Sequence, residues 1–193
     1  MLKSFYIKNG IEVGCDEAGR GCLSGPVVAA AVILPTDLNL ELLNDSKKIS
    51  EKKRLILRQQ LIKAKVSYGI GVVSEKEIDE INILNASFLA MHRALDAIND
   101  SFDRILVDGN RFNAYNDVEH HCIIKGDGKY QSIAAASIFA KTHRDFLMQN
   151  LDEEFPMYDW KKNKGYPTKK HREAIEKHGS CKYHRQSFTL LKK

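Results

Sequence analysis

The fourteen residues from Val13 to Pro26, Val-Gly-Cys-Asp-Glu-Ala-Gly-Arg-Gly-Cys-Leu-Ser-Gly-Pro, constrain this chain more than any other stretch. Just before them, Ile11-Glu12-Val13 alternates in polarity as a half-buried strand does. Just after them, Val27 to Leu34 is continuously apolar, which predicts a buried strand. The pattern puts two adjacent carboxylates, Asp16 and Glu17, in the turn between these strands, followed by Gly19, Arg20 and Gly21. Like charges side by side and partly desolvated stay ionised only if something positive neutralises them. Hard oxygen donors of this kind suit Mg²⁺ or Mn²⁺. Glycine leaves room for a ligand to approach the backbone closely. These residues alone leave two readings open: a metal-holding turn, or an ordinary β-turn with a solvated acidic pair.

Two phosphate-binding patterns are excluded. Gly19, Gly21 and Gly25 give G-x-G-x-x-x-G, not the dinucleotide fingerprint G-x-G-x-x-G, and no G-x-x-x-x-G-K-[ST] loop occurs. The 193 residues, 43% hydrophobic and 28% charged, suit one domain spanning 1–193, with a core over about 1–150 and a C-terminal part over about 151–193. A net charge of +5 permits a polyanionic partner without requiring one. The cysteines at 15, 22, 122 and 181 form no C-x-x-C pair and no signal peptide is evident, so free thiols in the cytoplasm are expected. No apolar run approaches the roughly 20 residues of a membrane span.

Farther along, Ser50 is placed to cap a helix from Glu51 to about Lys65, with Leu55, Leu57, Leu61 and Ile62 as its apolar side. Val66 to Val73 reads as a strand. Ser74 opens a short acidic helix, and Leu84, Phe88, Met91, Leu95 and Ile98 mark an amphipathic helix from Asn82 to about Asn99. His92 beside that stripe reads as a structural or surface histidine, not a ligand. Arg104 to Val107 is a strand ending in Asp108; Asp108-Gly109 alone favours a turn, but acids on a neighbouring strand favour a metal ligand. Val118 to Ile124 is a further strand. Asp127 precedes a small-residue helix beginning near Ile133, where turn or N-cap chemistry is the ordinary role. Asp145 is expected to pair with Lys141 or Arg144. Trp160 and Tyr166 among clustered lysines suit a nucleic-acid surface, although a solvated lysine-rich loop has the same composition. Thr168 caps a last helix ending at Gly179. His178-x-x-Cys181-x-x-His184 lacks a fourth zinc ligand.

Asp16-Glu-Ala-Gly-Arg-Gly21 followed by Ser24-Gly-Pro26, Asp45-Ser-Lys-Lys48, Lys125-Gly-Asp127 before Ala-Ala-Ser-Ile, and Gly165-Tyr-Pro-Thr168 together resemble the type 2 ribonuclease H family, the bacterial ribonucleases HII. The resemblance covers most of the chain. It implies an α/β ribonuclease H-like fold, a central mixed β-sheet flanked by helices, with a small helical C-terminal part. It implies Asp16, Glu17, Asp108 and Asp127 as catalytic and metal-binding residues holding two Mn²⁺ or Mg²⁺ ions. It also implies Gly19, Arg20, Gly21, Lys47 and Tyr166 as substrate contacts, with Ser132 a further candidate on phosphate. The implied substrates are RNA–DNA hybrids and duplex DNA carrying single ribonucleotides, cut by a monomer on the 5′ side of the ribonucleotide. Met1 lies too near Asp16 for the extra N-terminal domain of the type 3 enzymes. Gln186-x-Phe188-x-Leu190 faintly suggests a sliding-clamp peptide, against which stands plain terminal packing. A resolvase-like nuclease would share the acids but not Arg20 between glycines with Tyr166 downstream; a non-catalytic binding module would not need all four acids.

Overall fold

The computed structural model describes residues 2–35, 38, 43 and 49–191. Among them the order is β1 (Glu12–Ala18), β2 (Val27–Ile33), α1 (Glu51–Lys63), β3 (Ser67–Val73), α2 (Glu75–Asp96), β4 (Arg104–Asp108), β5 (Glu119–Ile123), α3 (Gln131–Glu154), α4 (Trp160–Asn163) and α5 (Lys169–His178). The strands form one mixed sheet in the order β3-β2-β1-β4-β5. β1, β2 and β3 pair antiparallel, whereas β4 and β5 join parallel to β1. This is the expected α/β ribonuclease H-like architecture. No described helix is long and apolar enough to cross a membrane.

Strand alternation divides the core into two layers. Val13, Cys15, Ala29, Ala31, Ile105 and Val107 face α2, which presents Ala86, Ala90, Met91, Ala94 and Leu95. Ala30 and Val32 face the opposite layer, built from Leu57 and Leu61 of α1 and from Ala134 to Ala140 of α3. The small side chains of α3 let it lie close to the sheet. At Gly14 a Cβ would run into the α3 backbone at Ser132 and Ile133, so glycine there sets how near α3 comes to β1.

Three details differ from the expectations. The first strand does not stop at Val13 but runs through Ala18, because Asp16 and Glu17 pair with Ala30 and Ala29 of β2; the turn starts only at Gly19. In α1 only Leu57 and Leu61, four residues apart on one stripe, are buried, while Leu55 and Ile62 point to solvent. Asp145 pairs with Arg54 at 3.4 Å, not with a neighbour on its own helix: Lys141 turns to Ser137 and Arg144 into the interior. Other local expectations hold. Ser50, Ser74 and Thr168 cap α1, α2 and α5 through their hydroxyls. The two segments around Asn82 are one helix broken at Asn82 (φ 66°), whose Oδ1 accepts from the amides of Leu84 and Asn85.

Candidate active site

β1 and β4 run parallel with Cys15 beside Val107, so one step farther Asp16 comes beside Asp108 on the α3 face. Asp127 arrives from the other side, on a 3₁₀ turn at Gly126–Gly128 that leads into α3. The turn is tied to the strand end, since the Gly126 amide donates to Asp108 Oδ1 at 2.6 Å. As a result Asp16, Asp108 and Asp127 each offer an oxygen within 4.8 Å of the others. Asp16 and Asp127 are buried.

Strand alternation turns Glu17 away from the direction of Asp16, yet at the end of β1 its carboxyl stays close enough for its charge to act on both Asp16 and Asp108. Glu17 accepts from Arg20 Nη1 at 3.3 Å, and Asp16 accepts from the Glu17 amide at 2.8 Å. Burial, followed by repulsion from Glu17 and Asp108, holds the Asp16 carboxyl well above the usual carboxylate range. Lys141 and a hydrogen bond from Ser137 pull the other way without cancelling this. Burial also raises Glu17, against the stabilising Arg20. A group of carboxylates in which burial and repulsion oppose ionisation is one that a divalent cation completes. All the donors are hard oxygens, the chemistry that Mg²⁺ and Mn²⁺ require.

The Gly19–Gly21 turn leaves β1 directly after these acids. Gly19 has φ +99° and a Cβ there would collide with Arg144, so it is buried and fixed; Arg20 and Gly21 are exposed, and a Cβ on Gly21 would meet nothing within 4 Å. Tyr166 reaches the same region from the C-terminal part. Its neighbour Gly165 accepts from the Leu23 amide at 2.8 Å, its hydroxyl interacts with Cys22, and the residue is 48% exposed. Lys47 lies outside the described residues.

Trp160 is not a surface aromatic. It is fully buried, stacked on Tyr158 at 5.0 Å, and its Nε1 donates to His171 Nε2 at 2.9 Å. Ser132 is buried beneath β1. His184 bonds the Cys181 amide at 3.0 Å and lies 3.3 Å from His171, so the H-x-x-C-x-x-H pattern serves packing. His92 Nε2 donates to Asn113 O at 3.0 Å, as a structural histidine does. Sequence reasoning missed Ser137 and Lys141, where Lys141 Nζ donates to Ser137 Oγ at 2.6 Å below Asp16. It also missed Arg144 and Arg185. No spacing within their own segments signals either role.

Comparison with known proteins agrees with this geometry. The family model described as Ribonuclease HII matches residues 13–191. The Ribonuclease HII of Bacteroides thetaiotaomicron is 62% identical over 99% of this chain and 96% of its own length. That of Christiangramia forsetii is 60% identical over 98% of this chain and 96% of its own. The crystal structure of the ribonuclease H2 from Pyrococcus horikoshii OT3 superposes with a TM-score of 0.76 at 25% identity, covering 93% of this chain and 94% of that one. With a strand-borne acidic centre, a mixed sheet of this order and near full-length matches, the chain belongs to the ribonuclease HII family and is a ribonuclease H endonuclease.

Proposed function

We propose that this enzyme hydrolyses the RNA strand of RNA–DNA hybrids and also cuts duplex DNA on the 5′ side of a single embedded ribonucleotide, leaving a 3′-hydroxyl and a 5′-phosphate. Its role is then the removal of ribonucleotides from DNA, as a monomer in the cytoplasm. The observation that carries the reading is the convergence of Asp16, Asp108 and Asp127 within 4.8 Å, with Asp16 on the strand that runs into the Gly19–Gly21 turn. Asp16, Asp108 and Asp127, with Glu17 at the end of β1 within electrostatic reach of Asp108, would hold Mg²⁺ or Mn²⁺, two ions when substrate is bound. Bound divalent ions supply a water nucleophile at neutral pH and charge stabilisation for the leaving oxygen. The chain's own part is placement. Lys141 and Ser137 hold Asp16 from below, the Gly126 amide orients Asp108, and Arg20 keeps Glu17 beside the cluster.

Recognition of ribose falls to the exposed turn and Tyr166. A 2′-hydroxyl both donates and accepts. Gly19, Arg20 and Gly21 offer backbone groups to it, and the Tyr166 ring offers a face for the following sugar. Lys47 would contact a phosphate. The C-terminal segment is held by the fold, since Asp79 accepts from the Gln186 and Ser187 amides at 2.8 and 2.9 Å. Any sliding-clamp contact there would have to be made with Phe188 drawn out of its packing. The experiment is incubation with duplex DNA carrying one ribonucleotide, and with a continuous hybrid, each with Mg²⁺, with Mn²⁺ and with excess EDTA. Cleavage 5′ to the ribonucleotide only when metal is present is expected; cutting in EDTA, or none at the ribonucleotide, rejects the reading.

A further inference from the structure

Arg185 is an unusual residue to find with no exposure at all. A buried guanidinium is ordinarily neutralised by a carboxylate in fork geometry. Here the donors go to main-chain carbonyls. Nε and Nη2 donate to Gly25 O at 3.0 and 2.8 Å, and Nη1 donates to Arg20 O at 3.0 Å. The Phe188 ring lies 5.2 Å from the guanidinium carbon and covers one side of it. Arg144, 2% exposed, does the same nearby, donating to Pro26 O, Ser24 O and Lys164 O at 2.9, 3.0 and 2.7 Å. Among the described residues neither arginine forms an ion pair with a carboxylate. Two buried cations are thus placed side by side against the loop that follows β1, at an electrostatic cost that apolar packing would not carry.

The consequence lies in one peptide unit. There is no cis peptide bond among the described residues, and in a trans peptide the carbonyl of one residue and the amide of the next point in opposite directions. Arg185 draws the Arg20 carbonyl inward, so the Gly21 N–H is aimed outward, at an exposed residue with open space above it. We propose that Arg185 is a positioning residue for sugar discrimination: by holding the Arg20 carbonyl it presents the Gly21 amide to the 2′-oxygen of a ribose. This rests on the substrate reading above and extends it to a side chain that never meets substrate. Arg144 then keeps the Tyr166 loop in fixed relation to the turn, through Lys164 and Ser24.

The test measures binding, not turnover, in an Asp127→Asn background with Mg²⁺. Fluorescence anisotropy compares a duplex containing one ribonucleotide with the same duplex entirely of DNA. Arg185→Lys keeps the charge and loses the fork; it is expected to lower the affinity ratio roughly fivefold to tenfold, one hydrogen bond's worth, while DNA affinity stays within about twofold. Gly21→Pro removes the N–H itself and should lower the ratio equally, and it serves alone if Arg185→Lys does not fold. The double variant should lose no more than either single one. An unchanged ratio in Gly21→Pro, or equal losses on both duplexes in Arg185→Lys, overturns the proposal. A parent that binds both duplexes alike overturns the substrate reading, and this inference with it.

Discussion

The two halves of the site are built in different ways. The acidic half hangs on sheet register: Asp16 and Asp108 sit side by side because β1 and β4 are in phase, and Asp127 is tied to Asp108 by one amide. The half that includes the Gly19–Gly21 turn and Tyr166 hangs on side chains that reach across the fold. Arg185 bonds a carbonyl 165 positions away and Arg144 one 120 positions away. A register can be lost only with the sheet, whereas a clamp can be removed one residue at a time. Chemistry is therefore expected to be all-or-none in the first half, and selectivity adjustable in the second.

The largest expected effect comes from the acidic half. Asp127→Asn should lower kcat by on the order of 10³-fold or more, since it takes charge from the group proposed to hold cations. Its far-UV circular dichroism should match the parent. A near-normal kcat in a verified preparation would take Asp127 out of the mechanism. In the other half, Tyr166→Ala should lower kcat/KM on single-ribonucleotide duplexes by about 10- to 100-fold, the loss of one stacked ring and its hydroxyl. Because Tyr166 is half exposed, the melting temperature should hardly move. Parent-like junction cleavage would make the tyrosine structural and erase the contrast.

A third prediction concerns the support beneath Tyr166. The His171 Nδ1 contact with Tyr166 O at 2.9 Å makes it the donor there, leaving Nε2 to accept from Trp160 Nε1 at 2.9 Å, with His184 Nε2 3.3 Å away. Burial and the neighbouring His171 push His184 down to about 4 from an ordinary 6.5. The fold thus keeps His184 neutral while the unfolded chain binds the proton more readily. Stability from this pair is complete above about pH 6.5 and is lost as pH falls toward 4, by at most about 3 kcal/mol. Urea unfolding at pH 7 and pH 5 reads it. His184→Gln should flatten that dependence, and an unchanged pH slope in the variant would place the titration elsewhere.

The smallest effect separates two glycines of one turn. Gly21→Ala meets open space and should change stability by less than about 0.5 kcal/mol while slowing cleavage of every substrate. Gly19→Ala, with positive φ and Arg144 in the way, should destabilise by about 1–3 kcal/mol. Equal melting temperatures for the two would mean that Arg144 gives way, and that the clamp is softer than its three hydrogen bonds suggest.

Sequence by itself determined the alternation of strands and helices, the caps at Ser50, Ser74 and Thr168, and a short list of acids at strand ends and turns. Periodicity and capping are local properties, written in residues a few positions apart, so they can be read from the chain alone. Only the tertiary structure decided that Asp16 and Glu17 lie within a strand and not in the turn after it, which depends on where β2 stops pairing. It also decided that Trp160 is core while Tyr166 is surface, though both sit among lysines with the same composition. The roles of Arg144, His171 and Arg185 were out of reach for the same physical reason. A buried cation is stable only where carbonyls from distant segments converge on it, and no spacing within its own segment records that convergence.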